Sequence, residues 1–314
     1  MDTAVGRAEA CLEEFQAWET GVCPVGEVRR VVLDSSVVRP GSTLRPISRF
    51  VVERDGVERA SVVLGRAEIF EREPVEYAVA RFSWAEGGQE DARAVVTAAV
   101  ESAPPGVSVY LPVSAAVSAD HAARRDIARA CGFELFQEKE GFRWVDAGQT
   151  LPEPGLRLEP MSRIGPEAFI PVIGRCVART LDRTDILVFG RHQPQQWATT
   201  FLDHHASAAD VESWLYAETA DGVPVGFVGL AQRKGDPDVG TIVLIGVLPE
   251  QRGHRYVDQL LLAAYRAART RGFAAVQSLV DVDNHPMMAA VRRSGADPDA
   301  DPWHSWLFTS NRGA

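Results

Sequence analysis

Lysine is nearly missing from this chain, standing only at positions 139 and 234, so its basic charge is carried almost wholly by arginine. Basic residues are also outnumbered, 33 Lys+Arg against 43 Asp+Glu, for a formal net charge of −10. No Lys/Arg cluster interrupts that balance. A chain of this kind is a poor partner for nucleic acid, whose binding depends on neutralising phosphates. It is compatible with a cationic amine substrate, although most acidic surfaces serve only solubility. Cysteine is sparse: Cys11, Cys23, Cys131 and Cys176 form no CxxC and no pairing with histidine, so no metal site is implied. Cys131 and Cys176 sit among apolar helical residues, where a free buried thiol is expected. The opening MDTAVGRAEACLEEF has early acids and no apolar core, unlike a signal peptide. No apolar run approaches the ~18 residues of a membrane helix. These absences lead us to expect a soluble, cytoplasmic protein.

What is present is a chain of 314 residues with 46% hydrophobic content, long enough for two domains. The segment 146–155, DAGQTLPEPG, has two prolines, two glycines and no apolar period, and it reads as a linker between domains at 1–145 and 156–314. In the second half, strands are expected at 156–161, 213–219, 224–231, 239–249, 273–281 and 303–308. Helices are expected over Gly165 to Thr180, His192 to Ala206, Tyr256 to Arg271 and 284–295. The run 239–249, VGTIVLIGVLP, is too apolar to alternate, which predicts a central strand buried on both faces. In the first half, Asp55–Gly56 between two β-rich runs signals a hairpin. Strands at 76–84 and 107–114 alternate with helices at 89–103 and 121–132, and 134–145 reads as a hairpin or a pair of strands. Mixed strand and helix order in both halves indicates an α/β class for each.

The chemistry is concentrated in Val247–Leu248–Pro249–Glu250–Gln251–Arg252–Gly253–His254–Arg255–Tyr256–Val257. A buried strand ends, a polar turn follows and a helix begins. Such a turn points unpaired N–H groups outward at the positive end of the helix dipole, a setting for a phosphate or diphosphate. Gly253 permits close approach, and Arg252 and Arg255 can add charged hydrogen bonds. An ordinary strand–helix turn with solvated arginines has the same composition.

This stretch resembles motif A of the GCN5-related N-acetyltransferase (GNAT) superfamily, Q/R-x-x-G-x-G/A, with Arg252 at the first position. The two glycine positions fall on Arg255 and Val257, a departure from the strict pattern. Downstream, the strand FAAVQSLVD, then Asp283–Asn284–His285–Pro286–Met287–Met288, then Arg293–Ser294–Gly295, is similar to the family's motif B. The resemblance covers about 160 residues. It implies two GNAT-like domains, each a mixed, mostly antiparallel sheet flanked by helices. It further implies acetyl-CoA or another acyl-CoA as co-substrate, held by Val247, Arg252, Gly253, His254, Arg255, Tyr256, Val257 and Asn284. Asn284 also suits a helix N-cap, and Met287 and Met288 suit a core. No metal is implied.

By the same resemblance, the reaction is direct attack of a small-molecule amine on the acyl thioester, which needs a base and an acid. Glu218 on the 213–219 strand is the first candidate base, with Glu250, His204 and His205 behind it. Where family members often carry an acidic Tyr, this chain has Val291. Trp197, Phe201, His204 and His205 lie on the helix that often lines the acceptor side in the family, and Trp214 reads either with them or as core. The first half resembles the pattern only in its tail, ARACGFELFQEKEGFRW. Its corresponding turn, Ala85 to Asp91, is acidic and should repel a diphosphate. That predicts a degenerate copy without a cofactor turn. The competing reading is a catalytically silent tandem module that binds an acyl-CoA or a partner protein. Monomer and homodimer are not distinguished by the sequence.

Overall fold

The structure, a computed structural model, describes residues 19–25, 28–33, 44–67, 77–105, 107–114, 121–189, 193–207, 209–233, 235–298 and 305–310. The chain forms two compact units, one of residues 1–113, 120–136 and 307–314, the other of 114–119 and 137–306. The stretch 137–145 therefore packs with the second unit, upstream of the 146–155 segment expected to divide the domains.

In the first unit, β1 (Glu19–Val25), β2 (Val28–Leu33), β3 (Leu44–Arg54), β4 (Val57–Ala67) and β5 (Tyr77–Trp84) pair antiparallel in sequence order. The β3–β4 connection is the expected Asp55–Gly56 turn, and both residues have positive φ, 54° and 77°. That geometry matches the twist of the flanking strands. Helix α1 (Gln89–Ser102) crosses to β6 (Val109–Ser114), which runs parallel to β5, and α2 (His121–Ala130) follows. Phe50, Val62, Leu64, Val95, Val96 and Ala99 are buried and form much of this core.

The run 134–145 is one twelve-residue strand, β7 (Glu134–Val145), and not a hairpin. Lys139 to Val145 pair without interruption, so Glu140–Gly141 makes no turn. The remaining elements of the second unit begin with β8 (Arg157–Pro160), α3 (Met161–Ile164), α4 (Phe169–Val177), α5 (Arg183–Phe189) and α6 (Pro194–His205). Then come β9 (Trp214–Glu218), β10 (Pro224–Gln232), β11 (Val239–Val247), α7 (Tyr256–Thr270), β12 (Ala275–Asp281), α8 (His285–Arg293) and β13 (Asp297–Pro298); a last strand, β14, spans Ser305–Ser310. The helix expected over 165–180 is broken at its start, because Gly165 has φ 77° and ends α3. Helix α5 was not foreseen.

The sheet order in this unit is β7-β12-β11-β10-β9-β8, antiparallel except for β11 beside β12. Helix α7 lies on one face as its apolar stripe requires: Leu261 and Tyr265 join a cluster with Phe142, Trp144 and Leu230, while Leu260 and Ala264 join Ala217, Val225 and Val228. Helix α4 buries Phe169, Val172, Ile173 and Cys176, and a Cβ on Gly246 of β11 would come within 2.8 Å of the Cys176 Cβ. Glycine is thus what lets this helix settle on the strand. The α/β class with mixed, mostly antiparallel sheets is as the sequence indicated.

Strand β11 departs from expectation in one respect. It is central, but from Thr241 to Val247 it is only half-buried. Its pairing with β12 covers Val239 to Thr241 and then stops. Opposite β10, Leu230 pairs with Ile242 and Gly229 with Leu244, so Val243 is an extra residue, a β-bulge. A bulge bends its strand and sharpens the local twist. Beyond it β11 leaves β12, and a cleft opens inside the unit.

Candidate functional site

The cleft meets the start of α7. After β11 a single 3-10 turn, Pro249–Gln251, leads to Gly253 at φ 88° and Arg255 at φ 58°. Arg255 is the N-cap of α7 in the left-handed conformation that glycine prefers. The position where the family pattern carries glycine therefore needs glycine's backbone, and here an arginine adopts it. Among the described residues, the amides of Gly253, His254, Arg255, Tyr256 and Val257 donate to no carbonyl of the chain. Gly253 faces open space, with nothing within 4 Å of a Cβ placed on it. Five free N–H groups at a helix N-terminus make an anion cradle.

The two arginines behave differently. The Arg252 guanidinium is turned onto the backbone, donating to the carbonyls of Arg179 (2.9 Å), Cys176 (3.3 Å) and Val247 (3.3 Å). It ties the C-terminal end of α4 to the end of β11, and so holds one wall of the cleft. Arg255 is exposed beside the cradle. His254 is exposed with its ring 5.5 Å from that of Tyr256, while Tyr256 and Val257 line the cleft.

A groove of about 430 Å³ runs from this cradle along the free edge of β11, past Leu244, Ile245, Gly246 and Val247, to Asn284 and Met287. Beyond the bulge this edge has lost its β12 partner, so its outward N–H and C=O groups, apart from the Val247 carbonyl held by Arg252, are open to a ligand amide. Asn284 caps α8, accepting from the Met287 amide at 3.3 Å, and lines the groove as well. One geometry thus lets Asn284 cap the helix and line the groove at once.

A second cavity of about 250 Å³ lies between the parted strands and shares Thr180, Asp185, Leu244, Ile245, Asn284 and Met287 with the groove. Its walls add Lys139, Asp182, Phe201, Asp281 and Val291. The Asp182 carboxylate sits 2.7 Å from Lys139 Nζ and accepts from Gln137 Nε2 (3.0 Å) and from the Thr184 and Asp185 amides (3.0 and 3.2 Å). Burial works against its charge, but Lys139 and these donors prevail and hold its carboxyl below the usual range. Asp281 is buried and accepts from Gln137 Nε2 (2.8 Å) and from the Arg183 and Asp283 amides (both 3.0 Å).

The other expected residues are scattered. Glu218 lines neither cavity; its carboxylate faces Arg157 at 2.8 Å at the end of β9. Glu250 is exposed and paired with Arg175. The side chain of His204 lies outside the described residues. His205 packs its ring 4.3 Å from that of Phe201, and Phe201 in turn stacks on Trp197 at 4.6 Å. Phe201 reaches the second cavity, whereas Trp197 and Trp214 are core. Val291 is buried and offers no proton. Tyr265 does not replace it: it stacks 4.6 Å from Trp144, and burial pushes its phenol up to about 12 despite the Ser294 hydroxyl. Cys176 is free and buried as expected, and Cys131 is free and half-buried; Cys11 and the side chain of Cys23 lie outside the described residues. The bulge at Val243 and the cleft-lining Arg179, Thr180 and Asp185 were missed, and no local pattern marks them. No group of metal-binding side chains occurs among the described residues, and no described helix is long and apolar enough to cross a membrane.

The first unit has the same strand–helix–strand step, with charged side chains placed at it. Pairing of β5 with β6 covers only Tyr77 and Ala78. Further along β5, Arg124 of α2 donates to the Phe82 carbonyl at 2.6 Å and lies over the Phe82 and Trp84 rings at 5.1 and 4.8 Å. In the first turn of α1, Asp91 is buried, 2.7 Å from Arg54 and 3.7 Å from Arg59. Where the second unit offers an open edge and free amides, the first presents a guanidinium and a carboxylate.

Comparison with known proteins agrees with this geometry. Residues 181–296 match the model of the acetyltransferase (GNAT) family. The mycothiol acetyltransferase of Paenarthrobacter aurescens is 27% identical over 183 residues, covering 56% of this chain and 54% of that protein. That of Saccharomonospora viridis is 27% identical over 189 residues, 56% and 58% of the two chains. The chain thus spans about half the length of the curated relatives it matches. In fold it is similar to a GCN5-related N-acetyltransferase from Sphaerobacter thermophilus, with TM-score 0.57 at 18% identity over 98% of this chain and 86% of that one. It is likewise similar to a tandem GNAT protein from the clavulanic acid biosynthesis pathway, with TM-score 0.57 at 17% identity over 87% and 84%. The bulged central strand and the amide cradle that follows it both lie within residues 181–296, the segment that matches the acetyltransferase (GNAT) family model.

Proposed function

We propose that the second unit transfers an acetyl group from acetyl-CoA to a primary amine of a small molecule. The observation that carries this reading is the continuity of the five-amide cradle with the free edge of β11. An acyl-CoA presents a diphosphate and, along its pantetheine arm, two amides, and this chain offers complementary groups in the same order. The amides of Gly253 to Val257 would take the diphosphate, with Arg255 adding positive charge. The free edge of Leu244 to Val247 would pair with the pantetheine amides, and Asn284 and Met287 would flank the arm. Arg252 acts through the backbone, keeping α4 against β11 so that the groove holds its width.

The bound thioester supplies an electrophilic carbonyl. N–H groups of the parted β11 edge are fixed dipoles able to stabilise charge developing on the carbonyl oxygen. The second cavity would seat the amine, with carboxylates for its positive charge and Phe201 for its apolar part. The relatives named mycothiol acetyltransferases act on a small-molecule acceptor, which supports a polar amine of that size class. In this reading the first unit binds no acyl-CoA, because Arg124 occupies the edge and Asp91 the helix start.

Calorimetric titration with acetyl-CoA, followed by thiol release with a panel of primary amines, tests the proposal. Saturable binding with amine-dependent thiol release is expected. Saturable binding with thiol release at buffer level for every amine would replace the transferase with a silent acyl-CoA-binding module, a reading favoured by Val291 at the position of the family's acidic tyrosine.

A further inference from the structure

The groove and the second cavity meet at six residues, and Asp185 is the titratable one among them. Its surroundings separate it from the neighbouring carboxylates. Asp182 is engaged by Lys139, Gln137 and two amides, Asp281 by Gln137 and two amides, and Asp283 by Arg183. Among the described residues, the Asp185 carboxylate has one hydrogen bond, a long one of 3.4 Å from the Thr180 hydroxyl. It is therefore the carboxylate of this cluster with open acceptor positions, and it stands at the boundary where an amine in one cavity would face a thioester in the other. Helix α5, which presents it, is anchored there by Arg183, whose amide donates to Asp281 and whose guanidinium pairs with Asp283.

We infer that Asp185 is the general base of the transfer, taking the proton from the acceptor ammonium where the two cavities join. The inference rests on the transferase reading above. In the step, the Asp185 carboxylate removes one proton from R–NH3⁺, leaving R–NH2. The nitrogen lone pair forms the C–N bond at the thioester carbonyl, whose π electrons move to oxygen. Collapse restores C=O and breaks C–S, and the departing thiolate takes the second nitrogen proton to become the coenzyme A thiol. Asp185 then releases its proton to water.

The charge balance suits the task. Burial, and after it the negative charge of Asp182, push the Asp185 carboxyl up to about 7, against the opposing pull of Lys139 and of the Thr180 hydroxyl. The charged groups facing the site are Lys139 from β7, Asp281 from β12, Asp182 just before α5, and Arg179, Arg252 and Arg255 along the groove. A base ionising near neutral pH combines a sizeable charged fraction with a useful proton affinity. Below its raised pKa the carboxyl is protonated and cannot act, so kcat/KM should climb with pH through about 7.

The test uses the full chain, acetyl-CoA and a panel of glucosamine, ethanolamine, spermidine and phenethylamine. Asp185→Asn should lower kcat/KM for the best amine by about 100-fold or more, with acetyl-CoA affinity unchanged within about twofold as the check on folding. Its remaining pH dependence should move to the amine's own ionisation, roughly pH 8–10, while Asp185→Glu should keep a limb near neutrality. An independent readout is the ¹³C-carboxyl titration of Asp185 in the free protein, with a midpoint expected near 7. A wild type that is active, with Asp185→Asn within threefold of it and an unmoved limb, overturns the base and leaves the transferase standing. A wild type that binds acetyl-CoA but acetylates none of the amines overturns both.

Discussion

Gly253→Ala isolates the anion cradle with a change of one methyl group. At φ 88° the residue occupies backbone space that costs an L-residue about 1–2 kcal/mol, while the added Cβ meets nothing within 4 Å. The penalty is therefore purely one of backbone conformation, and it must appear in one of two places. If the turn keeps its shape, stability falls by about 1–2 kcal/mol, roughly 2–8 °C in Tm for a unit of this size. If the turn relaxes to negative φ, the amides swing away and acetyl-CoA affinity falls by about 5–30-fold. The two losses together should account for about 1–2 kcal/mol. Differential scanning calorimetry with and without acetyl-CoA, together with titration calorimetry, measures both. Arg255→Gly on the same turn provides the contrast. It relieves a left-handed arginine at φ 58° but adds about 0.4–1 kcal/mol of chain entropy to the unfolded state. Its stability should hold or rise slightly, while affinity falls in a salt-dependent way because a charge is lost. Wild-type Tm and affinity in Gly253→Ala, or the same response in both variants, would refute the reasoning.

Arg252→Ala removes three hydrogen bonds to carbonyls at the joint of α4 and β11 and should cost about 1–3 kcal/mol of stability, with an affinity loss for acetyl-CoA that salt barely alters. An unchanged Tm with a strongly salt-dependent affinity loss would instead make Arg252 a direct diphosphate ligand. In the first unit, the Arg54 guanidinium beside Asp91 holds its carboxyl below the usual carboxylate range. The stability it contributes is present above the unfolded pKa, about 3.9, and is lost as pH falls through the lower folded value. Asp91→Asn should thus lower Tm at neutral pH, with the gap to wild type closing in the acid range. A gap independent of pH would show the effect to be packing.

Local patterns were legible where the physics is local. Asp55–Gly56 carries its turn type in two residues that tolerate positive φ, and the α7 stripe from Val257 to Tyr265 carries its burial in a 3.6-residue period. Asn284 was readable as a cap because capping needs only a short acceptor at a helix start. Arg255 illustrates the boundary: its place in the turn was readable, but its left-handed backbone was not, since arginine in a sequence gives no sign of glycine's conformation.

The site's remaining features depend on contacts between segments far apart in sequence. Val243 becomes a bulge only because β10 sets the register opposite it, and without that bulge β11 would have been the fully buried strand its composition suggests. Glu218 looked suitable as a base on its strand, but strand order placed it next to the far edge strand, where Arg157 of β8 pairs with it. Asp185 had no pattern to distinguish it from its acidic neighbours. Its sparse hydrogen bonding follows from Lys139 and Gln137 on β7 engaging Asp182 instead. The sequence by itself determined most of the elements, the turn chemistry and the resemblance to a family, because these are written in short-range periods and motifs. Only the tertiary structure decided where the sheet opens and which carboxylate is left to face the opening, because both depend on how distant strands register and which charges they satisfy.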